Sequence, residues 1–421
     1  MRTPTVQVGE LALNKSGAFK IGPFGSSLKK TELVNSGIPV AGIENVLPNK
    51  FLKGFRRFIT RQKFEQLSDY EILPDDVLVT TMGTIGRAAT APPDIGRAIF
   101  DSHLFRMRVD KNRVFPPYLC YGLNSDLVAS QLARMARGAI MEGLNTTILR
   151  QCSIPLPEIY EQQRIARRLE RADRLVRTRR YALELNDTFL PAAFLEVFGE
   201  TGDRFPALAV DELAADQPHS IRTGPFGSQL LHSEFTDRGI AVLGIDNAVN
   251  NEFAWSQRRF ITPAKYEQLK RYTVFPGDVI ITIMGTCGRC AIVPDDVPTA
   301  INTKHLCCIT LDQNRCLPIY LHGAFLFHPF VRRQQQVATK GSIMDGLNME
   351  IIKSLRIPLP PLQLQQKFAA LVERVERLRA VQREALSQAE HFFQALLHGA
   401  FCETDSAPAK AKAAIVTQEV T

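Results

Sequence analysis

The sequence lacks long hydrophobic runs. No stretch approaches the roughly 18 uninterrupted apolar residues of a membrane-spanning helix, and residues 1–15 lack the apolar core of a secretory signal. Of the 421 residues, 45% are apolar and 22% are charged, which is ordinary for a globular protein. We therefore expect a cytoplasmic protein of about two or three domains.

Catalytic motifs are also missing. No lysine has an aspartate or glutamate two residues before it, which excludes the PD-(D/E)xK nucleases. The glycines of residues 22–30 do not have the GxxxxGK[ST] spacing that cradles nucleotide phosphates. FPPY at 115–118 is similar to the (D/N)PP(Y/F) motif of amino-methyltransferases, but Phe115 cannot accept a hydrogen bond from the target amine, so we interpret FPPY as a helix start. We expect no catalytic residue and no cofactor.

The sequence instead repeats itself, with a second copy about 202 residues after the first. GPFGS at 22–26 returns at 224–228, RRFIT at 56–60 returns at 258–262, MGTxGR at 82–87 returns at 284–289, and IPLP at 154–157 returns at 357–360. Copies of this length are domains rather than solenoid elements, whose repeats run about 20–50 residues. The chain should therefore present two similar surfaces.

The eight cysteines are expected to be reduced thiols. Cys287 and Cys290 form a CxxC pair, a spacing that also occurs in zinc sites. The first copy has Ile85 and Ala88 at these positions, so the fold does not need a metal there. We favour small buried apolar side chains and no metal.

Each copy begins with a globular part in which turn signals alternate with short β-rich runs. Strands are predicted at 38–43, 73–83 and 104–109 in the first copy and at 240–245, 275–285 and 305–311 in the second. Helices are predicted over 117–136 and 318–338, followed by a strand-like segment that ends in IPLP. The fold class is therefore α+β, with two similar mixed α/β domains.

A segment rich in strong helix formers follows each IPLP. Helices over 158–198 and 361–401 would each be a rod of roughly 60 Å. Two such rods in one chain pack most economically on each other, and an antiparallel coiled coil is expected. Pro191 predicts a kink or an early end of the first helix.

Apolar residues in these segments predict the contact between the helices. They recur about every 3.5 residues in the second helix, whereas the first offers two alternative stripes. The predicted contacts are Leu371, Val375, Leu378, Ala385, Phe392 and Leu396 in the second helix; Ala172, Leu175 and Phe189 in one stripe of the first; and Ile165, Leu169, Ala172 and Val176 in the other.

Positive charge is in excess and unevenly spread. The formal net charge is +8, and residues 161–180 contain eight arginines against three acidic residues. Such an excess is typical of proteins that bind nucleic acid or an acidic partner.

Two pairs of motifs resemble a known family. PDDVLVTTMGTIGRAA at 74–89 and PGDVIITIMGTCGRCA at 276–291 resemble the GDVLxxxxGxIGxxA stretch of target-recognition domains in the specificity subunits of Type I restriction-modification systems. The segments that start with IPLP resemble the opening of that family's spacer helices. The resemblance covers residues from about 10 to 401, with departures at Asp75, where a turn glycine is usual, and at Leu364, where the first copy has Glu161.

The resemblance implies a non-catalytic subunit whose two domains each read half of a split site in double-stranded DNA. The paired helices would set the unread gap and dock methyltransferase subunits, two of them expected, with restriction subunits as possible further partners. The expected division is target-recognition domains at 1–157 and 201–360, spacer helices at 158–200 and 361–403, and a disordered tail at 404–421.

Candidate DNA-binding residues follow from comparing the two copies. Residues kept in both should contact phosphates or support the scaffold, whereas bases should be read where the copies differ. The kept arginines are Arg56, Arg57 and Arg87, matched by Arg258, Arg259 and Arg289. The differing positions are Ser27, Lys29, Lys30, Thr81, Ile85 and Arg137, against Gln229, Leu231, His232, Ile283, Cys287 and Lys340. His103 and His305 recur without a paired nucleophile, so a structural or DNA-contacting role is expected, and Lys304 joins this set.

Two other classes of protein remain as alternatives. An enzyme in its own right, a methyltransferase or a nuclease, would bind S-adenosylmethionine or cleave DNA with a metal. A helical adaptor would bind protein rather than DNA through its globular parts.

Overall fold

The computed structural model describes residues 3–135, 146–255, 259–340 and 346–401, without the side chain of Lys340. The predicted tail at 404–421 lies outside these residues. Contacts divide the chain into two compact units, which we call unit 1 (Met1–Arg180 with Ala385–Thr421) and unit 2 (Tyr181–Glu384). Each unit therefore combines one globular part with the start of one long helix and the end of the other.

Unit 1 is built around a four-stranded sheet of order β2-β11-β8-β9 and a second sheet of order β10-β4-β7-β3. Its described strands are β1 (Thr5–Gln7), β2 (Phe19–Ile21), β3 (Leu33–Val34), β4 (Ile38–Ala41), β5 (Val46–Leu47), β6 (Lys50–Phe51), β7 (Phe58–Ile59), β8 (Val77–Thr80), β9 (Ala88–Thr90), β10 (Ile99–Phe100), β11 (Leu104–Met107) and β12 (Ser153–Pro155). Its described helices are α1 (Arg61–Gln66), α2 (Pro116–Leu123), α3 (Asp126–Met135), α4 (Thr146–Gln151) and the long α5 (Ile159–Phe198), which continues into unit 2.

Unit 2 repeats this plan with sheets of order β14-β21-β18-β19 and β16-β15-β20-β17. Its described strands are β13 (Ala207–Ala209), β14 (Ile221–Thr223), β15 (Ile240–Leu243), β16 (Phe260–Ile261), β17 (Thr273–Val274), β18 (Val279–Thr282), β19 (Cys290–Ile292), β20 (Ala300–Asn302), β21 (Leu306–Ile309) and β22 (Arg356–Pro358). The helices are α6 (Val210–Leu213), α7 (Pro263–Leu269), α8 (Pro318–Phe327), α9 (Pro329–Lys340), α10 (Met349–Ser354) and the long α11 (Leu362–Phe401), which continues into unit 1.

The central sheet of each unit is buried on both faces. Successive side chains of a strand point to opposite faces. In β8, Val77 and Val79 pack into one apolar cluster with helix α2, and Leu78 packs into another beside the second sheet. In β18, Val279 and Ile280 are separated in the same way. A strand covered on both faces favours apolar residues at successive positions, which explains the runs VLV at 77–79 and VII at 279–281.

The predicted α+β fold is confirmed, and each of the six predicted strand ranges contains a strand, namely β4, β8, β11, β15, β18 or β21. The single helices predicted over 117–136 and 318–338 are wrong, because each segment forms two helices. The first breaks at Asn124, whose side-chain amide bonds to the backbone of β9. The second breaks at His328, which has an extended backbone (ψ 116°) because Pro329 follows it.

Three smaller predictions are also settled by the helix bounds. The interpretation of FPPY as a helix start is confirmed, since α2 begins at Pro116 with prolines in its first turn. The segment before IPLP is not strand throughout, because residues 146–151 form helix α4. An early end at Pro191 is wrong, because α5 runs through it to Phe198, where burial of its last turns holds the helix together.

A buried glutamine anchors the start of each long helix. The side chain of Gln162 accepts a hydrogen bond from the backbone N–H of Phe115 (2.8 Å) and donates to two backbone carbonyls, at 3.0 and 2.8 Å. Gln365 makes the same three bonds in unit 2, with Leu317 as the backbone donor. The hydroxyl of Tyr118 adds a bond to a carbonyl of the IPLP segment (2.8 Å). These bonds join each helix start to the helix-start motif of its own repeat.

The end of each long helix is buried in the other repeat's globular part. In unit 1, Phe401 of α11 packs on Tyr118, with ring centroids 5.0 Å apart. It lies against Gly122, where a Cβ would be 2.9 Å from the ring. In unit 2, Phe194 of α5 lies against Gly323, where a Cβ would be 2.8 Å from the ring. A side chain at either glycine would therefore push the helix end away.

The helix portions within a unit run antiparallel. In unit 2, Asp187 pairs with Arg379 (3.0 Å), and further along Phe198 packs on Phe368 with ring centroids 5.4 Å apart. The helix portions of unit 1 contact each other in the same sense. A regular coiled-coil geometry stays a prediction.

The predicted helix contacts divide by burial. The buried positions are Leu169, Ala172, Val176 and Val375, and the half-buried ones are Ile165, Leu371, Ala385 and Leu396. Leu175, Phe189, Leu378 and Phe392 are 41–55% exposed. In α5 the stripe of Ile165, Leu169, Ala172 and Val176 is therefore the more buried of the two. In α11 the stripe that recurs every 3.5 residues is buried only in part. The exposed four leave apolar surface open on the helices.

Unit 2 contains a buried histidine that should make its stability depend on pH. His328 is fully buried beside the ring of Phe194, and in the described part of the chain neither ring nitrogen has a hydrogen-bond partner. Burial lowers the pKa of His328. In the unfolded chain the His328 imidazole binds a proton near the ordinary histidine pKa of about 6.5. In the folded chain it stays neutral to lower pH, so the free energy of unfolding falls as the pH drops below about 6.5.

We expect His328→Leu to remove part of this loss between about pH 6.5 and pH 5. Thermal unfolding of the full chain across that range measures it. His391→Leu is the matched control, because it removes an exposed histidine of α11 and leaves the buried His328 in place. Equal pH profiles for wild type and His328→Leu would contradict the prediction.

Candidate nucleic-acid interface

Two loops of unit 1 leave the central sheet at one edge. Strands β2 and β8 are both antiparallel to β11, which lies between them, so both end where β11 begins. The loop after β2 contains GPFGS (22–26), and the loop after β8 contains MGTxGR (82–87). The N–H of Thr81 bonds to the carbonyl of His103 (2.9 Å). The loops therefore flank His103.

Unit 2 has the same arrangement. Strands β14 and β18 flank β21, and the N–H of Ile283 bonds to the carbonyl of His305 (3.0 Å). We call these surfaces the first and second loop edges. The first consists of residues 22–30, 42–45, 56–57, 81–87 and 101–103, and the second of residues 224–232, 244–247, 259, 283–289 and 303–305.

MGTxGR forms the same tight turn on both edges. Gly83 and Gly86 have φ of 69° and 85°, in the left-handed region that favours glycine. The Thr80 side chain accepts a bond from the backbone N–H of Arg87 (3.0 Å) and donates to the carbonyl of Thr84, which closes the turn. Thr282 makes the equivalent bonds in unit 2. The turn therefore presents its outer side chains from a rigid backbone.

Arg57 is held across the first loop edge by two carboxylates. Its guanidinium bonds to Asp101 (2.6 Å) and to Glu44 (3.0 Å). It lies over Gly42, where a Cβ would be 1.8 Å from Nη2. Asp101 also accepts a bond from the backbone N–H of His103 (3.0 Å). This cluster fixes the geometry of the edge but adds no net positive charge.

Arg259 occupies the equivalent place on the second loop edge. Its guanidinium lies over Gly244, where a Cβ would be 2.2 Å from Nη2, and pairs with Asp246. Burial, and then the positive charges of Lys304 and Arg259, lower the pKa of His305. Two cations and a histidine therefore lie close together here.

The other predicted DNA-binding residues differ in exposure. Ser27, Lys29, Lys30, Arg56, Ile85, Gln229, Leu231, His232 and Arg289 are exposed; Arg57, Arg87, His103, Arg259, Cys287, Lys304 and His305 are half-buried; and Thr81 and Ile283 are buried. Arg137, Arg258 and the side chain of Lys340 lie outside the described residues. All the residues in the three exposure groups lie within the ranges that define the two edges.

Sequence reasoning missed two exposed apolar pairs on the edges. Phe24 of GPFGS is 61% exposed and Met82 of the tight turn is 40% exposed. Their counterparts, Phe226 and Met284, are 55% and 41% exposed. The available signal was that both copies keep the same large apolar residue in a turn-rich loop. Large apolar residues are usually buried, so one that is kept in a surface loop indicates a role there.

The described cysteines of the second copy lie in or beside the core. Burial raises the pKa of the Cys290 thiol and of the Cys307 thiol, so both are unreactive. Among the described residues, no group of three or more histidine, cysteine, aspartate or glutamate side chains could hold a metal ion. Within the same residues, no helix is long and apolar enough to cross a membrane.

Comparisons with known proteins agree on one family. The family model described as "Type I restriction modification DNA specificity domain" matches residues 19–185 and 232–391. The putative type I restriction enzyme MjaX specificity subunit of Methanocaldococcus jannaschii is 21% identical over 370 residues, which cover 84% of each chain. A solved type I restriction-modification S subunit from M. genitalium has a TM-score of 0.57 at 14% identity and covers 94% of this chain and 96% of its own. A chain from a structure on assembly and conformational transition of the type I R-M system also has a TM-score of 0.57, at 18% identity, covering 95% and 97%.

Proposed function

Because this chain belongs to the Type I restriction modification DNA specificity family, we propose that it is the subunit that selects the DNA sequence on which such a complex acts. It reads a split site, one half with each loop edge, and carries no catalytic residues of its own. Methyl transfer and cleavage belong to the methyltransferase and restriction subunits that it holds on the DNA.

One observation carries this proposal, namely that the chain contains two loop edges of the same construction. Each presents the same rigid turn and the same arginine over a glycine. Around these constant features lie side chains that differ between the copies, at Lys29 against Leu231 and at Lys30 against His232. A constant scaffold with variable exposed residues suits a protein that meets two different base sequences on similar backbones.

We assign phosphate contacts to Arg56, Arg87 and Arg289 and base contacts to the exposed differing positions of the edges. Arg57 supports the first edge through its carboxylates, and the buried Thr81 supports the turn from below. The exposed Phe24 and Phe226 add apolar contact with sugar or base.

The long helices offer a docking surface for the methyltransferase subunits. Tyr181, Leu185 and Phe189 of α5 are 61%, 51% and 47% exposed, and they are spaced by four residues, so they form one stripe. Val381 of α11 is 66% exposed. Apolar stripes on helices are typical protein contacts. We place the protein in the cytoplasm, where its DNA and partner subunits are.

Selection from a library of random duplexes tests the function. The chain, assembled with its methyltransferase subunit, should enrich two short half-sites separated by an unread gap of constant length. Enrichment of one continuous motif, or of none, would overturn the proposal. Cleavage or methylation by the purified chain alone would favour the enzyme alternative, and a protein ligand without DNA binding would favour the adaptor.

Removing a phosphate-binding arginine should weaken binding to all duplexes alike. For Arg87→Ala and for Arg289→Ala we expect the slope of log K against log salt to flatten by about one unit each. Titrations of specific and random duplexes at several salt concentrations measure it. Lys111→Ala is the matched control, because Lys111 pairs with Asp75 (2.5 Å) at the opposite end of β8. An unchanged slope in both arginine variants would refute the phosphate role.

A further inference from the structure

At the position of Asp101 the two loop edges differ in charge beside the shared arginine. On the first edge Asp101 lies 2.6 Å from the Arg57 guanidinium. On the second edge the equivalent residue is Thr303, as the backbone shows: the N–H of Asp101 bonds to the carbonyl of Ala41, and the N–H of Thr303 to that of Leu243, both at 2.9 Å. The side chains therefore start from the same point of the fold, but only the first carries a carboxylate.

The second edge has donors where the first has a satisfied ion pair. Among the described residues, Arg259 Nε and Thr303 Oγ1 are buried atoms without a hydrogen-bond partner. Lys304 stands where the first edge has Ser102, so positive charge is added beside them. Buried donors without an acceptor cost free energy, and an anion at this point would satisfy them.

We propose that Arg259, Thr303 and Lys304 bind a backbone phosphate of DNA at the point that the first edge fills with its own Asp101. This assignment rests on the proposed function and deepens it. The hydroxyl and guanidinium donate to the phosphate oxygens, and Lys304 adds positive charge. At the first edge the carboxylate of Asp101 repels a phosphate from this point. The two domains therefore hold the DNA backbone differently.

Thr303→Asp tests the site because it should raise the stability of the protein and lower its affinity for DNA. The new carboxylate can pair with Arg259 as Asp101 pairs with Arg57, so the unfolding temperature of the full chain should rise. DNA affinity at low salt should fall about tenfold, and the salt slope should flatten by about one unit. Damage to unit 2 would instead lower both stability and affinity.

The matched control is Thr286→Asp, which adds the same charge at an exposed position of the same edge. We expect a smaller loss of affinity and no gain in unfolding temperature. If Thr303→Asp weakens DNA binding no more than Thr286→Asp does, the phosphate site is refuted.

Inorganic phosphate, without DNA, separates this inference from the proposed function. Phosphate should raise the unfolding temperature of the wild type more than chloride of equal ionic strength, because it binds the folded state. This extra gain should be absent in Thr303→Asp. A gain that persists in the variant would overturn the anion site. A gain that depends on Thr303, in a protein that binds no duplex, would support the site and refute the DNA-reading function.

Discussion

Arg222→Met should lower the free energy of unfolding of unit 2 by about 3–5 kcal/mol. Arg222 and Asp278 form an ion pair 2.5 Å long, with side chains only 4% and 1% exposed. The guanidinium also donates to the carbonyl of Thr273 (2.8 Å) and to the hydroxyl of Thr310 (2.9 Å). Without it, the Asp278 carboxylate would stay buried with no cation to balance its charge.

Chemical or thermal unfolding of the full chain measures this loss. In Arg222→Met/Asp278→Asn the uncompensated charge is gone, so most of the stability should return. A cost below about 1 kcal/mol for the single variant would mean that water reaches the pair and screens it.

In unit 1 the buried arginine between the two sheets comes from the neighbouring strand. Its buried arginine is Arg106 on β11, at the position of Cys308, while the position of Arg222 is taken by Lys20. Arg106 is 1% exposed and donates to three backbone carbonyls, and burial lowers its pKa to about 10. The arginine has exchanged strands between the copies, yet each guanidinium fills the same layer between the two sheets.

Phe194→Ala should cost unit 2 about 3–5 kcal/mol and release the end of α5. The ring is fully buried and packs on Phe198, Phe368 and Tyr320, with centroids 4.7, 5.3 and 5.9 Å away. The cavity left by its removal cannot close, because the neighbouring rings also pack on one another. We expect faster proteolysis at the end of α5 in the variant.

Limited proteolysis with calorimetry of the full chain checks both effects. Phe189→Ala is the matched control, because Phe189 lies on the same helix but is 47% exposed, and it should cost less than about 1 kcal/mol. Equal costs for the two variants would show that the end of α5 is not held by the core of unit 2.

Features set by neighbouring residues were predicted in part. The tight turn at Gly83 and Gly86 follows from its glycines, since both have positive φ. The strands were predicted from unbroken β-branched runs bounded by turns. The helix break at Asn124 was missed because it depends on a bond to β9, which is distant in the sequence. The break at His328 was missed because the apolar pattern continues past it, although the adjacent Pro329 favours an extended residue there.

The contacts among the site residues could not be predicted from the sequence. Arg57 was a phosphate candidate because it recurs as Arg259, but its partner Asp101 lies 44 positions further along the chain. Nothing in the periodicity of the sequence joins them. The buried Gln162 and the packing of Phe401 on Tyr118 likewise depend on residues far apart in sequence.

The amino-acid sequence by itself determined the duplication, the strands and turns, the two 40-residue helices and the family. Local preference and residue identity suffice for these features. Only the tertiary structure decided that each long helix ends in the core of the other repeat's globular part. It also decided that Arg57 pairs with two carboxylates on the first edge, whereas Arg259 pairs with the carboxylate of Asp246 and has Thr303 in place of the second carboxylate. These outcomes depend on which distant side chains share one buried space, and burial is a property of the packed chain rather than of any segment.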